Sequence, residues 1–265
     1  IEAKVMEQLG DKARTMDPVA IRRRCQDYAN GFVDIQREQF LRLGVMGEFE
    51  APYITMHPQY EAATLDVFSR LVDRGVVYRQ LKPVHWSIDN QTALADAELE
   101  YHDREDPSIF VAFKINGGGD LFAGAAGDPH LAVWTTTPWT LPANLAVAVH
   151  PAYDYAVVEL TTADGPMTLV LASDLAERVL ASISAKREGW LQSHRVVSTV
   201  KGQALIDAGL TYTHPLHADK TCPLVGADYV TLEDGTGLVH TAPGHGLDDY
   251  HTGLREGLDI YCPVG

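Results

Sequence analysis

The stretch Trp134–Asn144 constrains the fold most, because it places four threonines, two tryptophans and two prolines within eleven residues. An apolar run over 131–134 leads into it, and a second over 145–149 leaves it. Pro138 and Pro142 fix φ and remove backbone donors, so the chain must turn stiffly here. The hydroxyl groups therefore collect where a strand ends, which suits the binding of a small polar group. The residues alone equally allow that threonine is present for its preference for strands.

The composition is that of a globular chain with an acidic balance. Its 265 residues are 46% hydrophobic and 22% charged, with a formal net charge of −15, which suits one large or two ordinary domains. No apolar run reaches the roughly 18–20 residues that span a bilayer, so no membrane is expected as a partner. Non-specific nucleic-acid binding needs a basic face, and this chain offers only local clusters such as 22–24. A nucleic-acid substrate would need most of its binding energy from elsewhere in a parent protein.

The cysteine pattern predicts a reducing environment. Cys25, Cys222 and Cys262 lie far apart and form no Cys-x-x-Cys pair, so no cysteine zinc site is expected. An odd and sparse count suits the cytoplasm. No secretory leader is evident, and the first residue is Ile, so we expect a piece of a longer protein.

Helical patterns dominate the first part of the chain. Asp17-Pro18 is a typical helix start, and apolar residues at steps of three and four follow as far as Gly44. A second helix is predicted from Pro58 to Arg74. Short strands are predicted at 76–78 and 84–86.

Strand patterns dominate after residue 105. The predicted strands are 108–115, 130–136, 145–149, 153–161, 167–171, 222–232 and 237–241. Helices are predicted over 174–183, over 203–208 and from Gly246 to 258, and a glycine-rich loop over 116–128. This pattern predicts an α+β fold, with a β-barrel-like domain over 105–258 preceded by a helical segment over 1–104.

Two motifs resemble the signatures of one family. Trp134–Asn144 resembles the threonine-rich signature of the editing domain of isoleucyl-tRNA synthetase. The sister enzymes for valine and leucine carry a Thr-Thr-Arg-Pro version of this signature, so Thr137-Pro138-Trp139 indicates the isoleucine enzyme. Gly235–Tyr250 resembles the second signature of the same domain. The resemblance implies that 105–258 is the editing domain and that 1–104 belongs to the class I catalytic domain and its connection. Residues 259–265 would then return toward the catalytic domain.

The resemblance also implies a reaction, which is hydrolysis of the ester that joins valine to the tRNA for isoleucine. One methylene gives only about 1–3 kcal/mol of discrimination, a general limit for which this family is itself a known example and which the sequence does not derive. A second, smaller pocket overcomes that limit. The implied partners are the valine-bearing acceptor end of that tRNA, valine itself and the rest of the synthetase. The nucleotide-binding signatures are absent, so no cofactor is expected here, and ATP and Mg are expected only for the full-length enzyme.

The motif match implies roles for nine residues. Asp249 would bind the α-ammonium group, although the helix dipole alone also explains acids at 248 and 249. The other implied site residues are Thr136 and Thr137 for catalysis, and Thr135, Thr140, Asn144, His240, Trp134 and Trp139 for substrate binding. Alternate side chains on a strand face opposite ways, so the threonines can share one pocket only if the chain turns sharply. At least one is expected to be structural.

Two alternatives remain open from the residues. His240, His245, Asp249 and His251 have ligand chemistry that suits zinc, which would indicate a metal-dependent hydrolase unrelated to tRNA. Their spacing matches no metal signature, so no metal is predicted. A non-catalytic module that binds aminoacyl-tRNA is the second alternative. No serine or cysteine nucleophile is paired with a base, so a positioned water is the expected nucleophile.

Overall fold

The computed structural model of the protein describes residues 1–263. The chain divides into two compact units, residues 1–79 and residues 80–265. We call them unit 1 and unit 2. The predicted three-part division at 104 and 258 remains a prediction, and its last segment, 259–265, extends beyond the described residues.

Unit 1 is helical, as the sequence predicts. Its helices are α1 (Glu2–Leu9), α2 (Pro18–Arg42) and α3 (Pro58–Asp73), with a 3₁₀ turn over Gly10–Thr15. Proline opens both α2 and α3, where its missing N–H costs no helical hydrogen bond. Their apolar stripes are not buried, since neither helix contains a buried residue. Of the helices within residues 1–263, none combines the length and the apolar character needed to cross a membrane.

Unit 2 consists of strands with a few helices. Its strands are β1 (Trp86–Ser87), β2 (Thr92–Ala93), β3 (Ile109–Asn116), β4 (Pro129–Thr135), β5 (Ala146–Val149), β6 (Asp154–Thr162), β7 (Gly165–Ala172), β8 (Leu191–Lys201), β9 (Thr211–His214), β10 (His217–Gly226) and β11 (Leu238–Thr241). Its α-helices are α4 (Ala176–Lys186), α5 (Gly202–Asp207) and α6 (Leu247–Glu256). Four 3₁₀ turns connect them, at Asp96–Glu98, Gly119–Phe122, Pro138–Ala143 and Ser173–Leu175.

Nine of these strands form one sheet in the order β11-β5-β10-β9-β3-β4-β7-β6-β8, and β1 pairs with β2 in a separate hairpin. Neighbours in the large sheet are antiparallel except for the β5–β10 and β4–β7 pairs. The sheet curls so that β11 also lies against β4, five positions away in the order. Within residues 80–263 the end strands do not pair. The α+β prediction is confirmed, with an open, curled sheet rather than a closed barrel.

The main core of unit 2 combines buried residues of the sheet with buried residues of α4 and α5. The strands β6 and β7 are buried on both faces along most of their length, which explains their nearly continuous apolar sequence. Helix α4 contributes an apolar stripe at helical spacing, formed by Ala176, Val179, Leu180 and Ile183. Phe113 and Tyr212 are fully buried and meet edge to face, with ring centroids 5.1 Å apart.

Several predicted boundaries were wrong. Residues 76–78 form no strand, and the strand predicted at 222–232 is β10, which ends at Gly226. Beyond Gly226 the chain forms a loop that reaches β11. The sequence reasoning missed β8, whose 11 residues are mostly exposed, and β9, which is only four residues long. Strand β8 lies at the edge of the sheet and is largely polar, so it lacks the apolar alternation by which strands are recognised, whereas β9 lies inside the sheet but is too short to show it.

Candidate functional site

The threonine-rich stretch makes the sharp turn that the site requires. Strand β4 ends at Thr135, and the 3₁₀ turn begins at Pro138. Thr137, between them, has φ −121° and ψ 62°, which redirects the chain out of the sheet. Thr135 and Thr140 are buried, whereas Thr136 and Thr137 are exposed. All four side chains line one cavity.

Hydrogen bonds within the turn divide the threonines into two kinds. The Thr135 hydroxyl accepts from the backbone N–H of Thr137 at 3.0 Å, and the Thr140 hydroxyl donates to the Thr137 carbonyl at 2.8 Å. The Thr137 hydroxyl lies 3.3 Å from that of Thr135 and 3.4 Å from that of Thr140. In the described chain, the Thr136 hydroxyl has no hydrogen-bond partner. Thr135 and Thr140 therefore stabilise the turn, and Thr136 presents a free hydroxyl to the cavity.

The cavity has a volume of about 530 Å³ and is enclosed by the turn, by β11 and by the residues around the start of α6. Eight of the nine predicted site residues line it: Trp134, Thr135, Thr136, Thr137, Trp139, Thr140, His240 and Asp249. Asn144 does not line the cavity and is fully buried behind His240. The loop between β10 and β11 contributes Tyr229, Thr231 and Asp234, which the sequence reasoning did not single out.

A larger groove in unit 1, of about 1050 Å³, is a weaker candidate. Its lining is mostly apolar and includes Tyr53, Tyr60 and Phe68. It contains no carboxylate, and its hydroxyl groups, from Tyr53, Tyr60 and Thr64, lie among apolar side chains. The cavity of unit 2, by contrast, combines a carboxylate, several hydroxyl groups and an imidazole, which is the kind of polar set that orients a small ligand.

Asp249 provides the carboxylate of the cavity from the first turn of α6. Its Oδ2 accepts a hydrogen bond from the backbone N–H of Ala242 at 3.1 Å. Burial is the main cause that raises the pKa of Asp249 from 3.8 to about 6, and the charge of Asp248 acts in the same direction, whereas the Ala242 N–H opposes the change. Asp248 is exposed and does not line the cavity. The favourable helix dipole is therefore sufficient to explain the exposed Asp248. It does not explain Asp249, because burying a carboxylate costs free energy that the dipole alone does not offset.

His240 forms part of the cavity wall and is held at both ring nitrogens. It is 8% exposed on β11. Its Nε2 lies 2.8 Å from the Thr140 hydroxyl, and its Nδ1 lies 2.9 Å from Nδ2 of Asn144. Burial lowers the pKa of His240 to about 4, and the charges of His214 and His245 act in the same direction. The ring is therefore neutral at physiological pH and fixed in orientation.

The two tryptophans occupy different positions at the cavity. Trp139 is 48% exposed, so its ring is available to stack on a ligand. Trp134 is half-buried and packs beside Gly235, where an added Cβ would lie 3.4 Å from the indole. Gly237 has φ +74°, and an added Cβ would lie 2.3 Å from Cβ of Ala172. Only glycine allows the chain to pass so close to the end of β7.

The geometry gives no support to the zinc alternative. Within the described residues, no three His, Cys, Asp or Glu side chains come together as metal ligands would. His251 is exposed on α6 and contacts the ring of Tyr250. His245 does line the cavity, and its buried Nε2 has no hydrogen-bond partner within 1–263.

Comparison of the chain with known proteins identifies a family to which it is similar along its sequence. Residues 1–230 match the profile described as tRNA synthetases class I (I, L, M and V). The isoleucine–tRNA ligase of Nitratidesulfovibrio vulgaris strain DP4 is 48% identical to the chain over 267 residues, covering 100% of the chain and 27% of the ligase. That of Thermotoga petrophila is 46% identical over 265 residues, with the same coverage. The chain therefore spans 27% of the length of these curated relatives.

Solved structures that are similar in part include two leucyl-tRNA synthetase editing domains. The P. knowlesi cytosolic domain aligns with a TM-score of 0.44 and 13% identity, covering 58% of this chain and 65% of that one. The P. falciparum cytosolic domain aligns with a TM-score of 0.41 and 14% identity, covering 56% and 66% respectively.

Proposed function

Because the chain belongs to the class I tRNA synthetases (I, L, M and V), we propose that unit 2 is an editing site. It hydrolyses the ester of valine wrongly attached to the tRNA for isoleucine. One observation carries the proposal: a carboxylate, a free hydroxyl and a rigid wall, from Asp249, Thr136 and His240, surround one cavity. These three residues are far apart in the sequence, yet all of them line this cavity.

Asp249 binds the α-ammonium group of the aminoacyl ester. A partly buried carboxylate with no cationic partner has a raised pKa, and a bound ammonium group supplies that partner. Charge-assisted hydrogen bonds of this kind are roughly twice as strong as neutral ones. Above pH 6 the carboxylate is ionised in the empty site and ready to bind.

Thr136 and Thr137 hold the attacking water against the ester. The water oxygen adds to the ester carbonyl carbon, the bond to the ribose oxygen breaks, and that oxygen takes a proton, so that valine and free tRNA are released. The ester is already activated by the neighbouring ammonium group, so positioning and electrostatic stabilisation are sufficient. Thr136 is suited to this role because its hydroxyl has no partner in the described chain.

His240 sets the size of the accepted side chain. Isoleucine would gain about 0.8 kcal/mol from its extra methylene in any pocket that admitted it, so rejection must be steric. A ring held at both nitrogens is the kind of wall that steric rejection needs. The same two hydrogen bonds leave no nitrogen of His240 free to activate water.

The remaining partners follow from the family and the charge of the chain. A net charge of −15 opposes the tRNA backbone, so most of the binding energy comes from the rest of the synthetase. ATP and Mg serve the full-length enzyme and not this reaction. The cytoplasmic location expected from the cysteine pattern is part of the same proposal.

Incubation of the 265-residue chain with valyl-tRNA for isoleucine tests the proposal. We expect release of free valine, with little release from isoleucyl-tRNA as the matched substrate. Asp249→Asn should lose the activity, and Asp248→Asn, at the same helix end but outside the cavity, should retain it. Binding without release of valine would instead support the non-catalytic module, and equal activity of the Asp249 variant would reject the assigned site.

A further inference from the structure

A chain of hydrogen bonds runs from the core of unit 2 to the cavity wall, and it begins at Tyr212. The Tyr212 hydroxyl donates to Oδ1 of Asn144. Nδ2 of Asn144 donates to the Ala146 carbonyl at 2.9 Å and lies 2.9 Å from Nδ1 of His240. Nε2 of His240 in turn lies 2.8 Å from the Thr140 hydroxyl. The chain therefore connects a residue outside the cavity to the residue that forms its wall.

Counting donors and acceptors fixes the hydrogen on the imidazole. The Thr140 hydroxyl has one hydrogen, which it donates to the Thr137 carbonyl at 2.8 Å, so it must accept from Nε2 of His240. The Asn144 amide nitrogen has two hydrogens, one for Ala146 and one for Nδ1 of His240. Nδ1 is then an acceptor, and His240 is neutral with its hydrogen on Nε2.

Packing in the core holds the Tyr212 side chain in place. It is fully buried on β9, paired with Ile115 of β3 on one side and with Cys222 of β10 on the other. Its ring packs edge to face on Phe113. Burial raises the pKa of Tyr212 well above its usual value, so the hydroxyl keeps its proton and donates. Asn144 is likewise fully buried, so losing this donor would leave Oδ1 without a hydrogen bond inside the core.

We propose that Tyr212 is a positioning residue for the cavity wall: its hydroxyl holds Asn144 so that His240 keeps one tautomer and one ring orientation. Tyr212 does not line the cavity, so it acts on a ligand only through these two residues. The consequence for size selection rests on the proposed function. The tautomer and its dependence on Tyr212 do not.

Tyr212→Phe removes the hydroxyl and keeps the ring, and nitrogen-15 NMR of the histidine rings in the 265-residue chain reads the result. Signals of His240 are assigned by their loss in His240→Gln. In the wild type we expect a hydrogen on Nε2 and none on Nδ1. In Tyr212→Phe we expect the His240 signals to shift or broaden as the ring samples more than one state. The ratio of valyl to isoleucyl ester hydrolysis should fall roughly tenfold, the equivalent of one hydrogen bond.

Tyr155→Phe is the matched control. Tyr155 is also fully buried, and its hydroxyl donates to the Gly237 carbonyl at 2.8 Å, outside the Asn144 chain. Its loss should leave the His240 signals unchanged. A folded Tyr212→Phe with wild-type His240 signals would reduce Tyr212 to a core residue and overturn the proposal. If Tyr212→Phe does not fold, a wild-type hydrogen on Nδ1 still overturns it. Absence of hydrolysis with the expected NMR result would refute the proposed function alone.

Discussion

Replacing Asp249 with Asn should stabilise unit 2 at neutral pH while abolishing editing. Folding raises the pKa of Asp249 from 3.8 to about 6, so the folded state binds this proton more tightly than the unfolded chain does. The wild type therefore loses stability as the pH rises from about 4 to 6, and the loss is complete above 6. A pKa difference of one corresponds to about 1.4 kcal/mol, so the unfolding free energy lost by ionisation of Asp249 is at most roughly 3 kcal/mol.

The expected gain is smaller than that bound for two reasons. The cavity leaves the carboxylate partly exposed, which screens its charge. The variant also loses a first-turn acid, which contributes about 0.3–1 kcal/mol to a helix. Asn keeps an oxygen that can accept from the Ala242 N–H. We therefore expect Asp249→Asn to be more stable than the wild type by about 2 kcal/mol at pH 7.5, and by almost nothing near pH 4.

Urea unfolding followed by tryptophan fluorescence measures this difference, because all four tryptophans lie in unit 2. The control is Asp248→Asn, which removes an exposed acid from the same helix end and should change stability by less than about 1 kcal/mol. A variant at 249 that is less stable than the wild type at pH 7.5 would refute the reasoning. So would a difference that does not change with pH, because it would mean that burial does not set the pKa of Asp249.

Four further results are expected. His240→Ala should hydrolyse isoleucyl-tRNA as well as valyl-tRNA, and continued rejection of isoleucine, with the protein folded, would remove His240 from the size filter. Gly237→Ala should lower the unfolding free energy by about 2 kcal/mol or more in urea titrations, because φ is positive and Ala172 occupies the space. Binding of a non-hydrolysable valyl-adenosine analogue, measured by calorimetry, should weaken about tenfold per pH unit below 6 as Asp249 protonates. The 265-residue chain should show no amino-acid-dependent exchange of pyrophosphate into ATP, and robust exchange would contradict the interpretation of its motifs.

The family was predictable from the sequence because its evidence is local. The two motifs, 134–144 and 235–250, are continuous stretches that can be recognised without knowing the fold. The family match over residues 1–230 confirmed the resemblance. The starts of α2 and α3 were predictable for the same reason, since Pro18 and Pro58 act on their own backbone. The roles of the site residues stay predictions, although the fold places eight of the nine around one cavity.

The parts that the sequence did not reveal depend on partners far along the chain. Strand β8 carries the polar run Gln192–Arg195 and is a strand only because β6 offers it an edge to pair with. Tyr212 is 68 residues from Asn144, and nothing local marks its hydroxyl as a donor to that amide.

The sequence by itself determined the stiff turn, the hydroxyl groups and the acid at a helix start, because these properties follow from covalent structure and nearest neighbours. Only the tertiary structure decided which threonine hydroxyl is free, which of two adjacent acids is buried and which tautomer His240 adopts. Each of those depends on burial and on hydrogen-bond partners from other strands, and burial exists only once the sheet has curled.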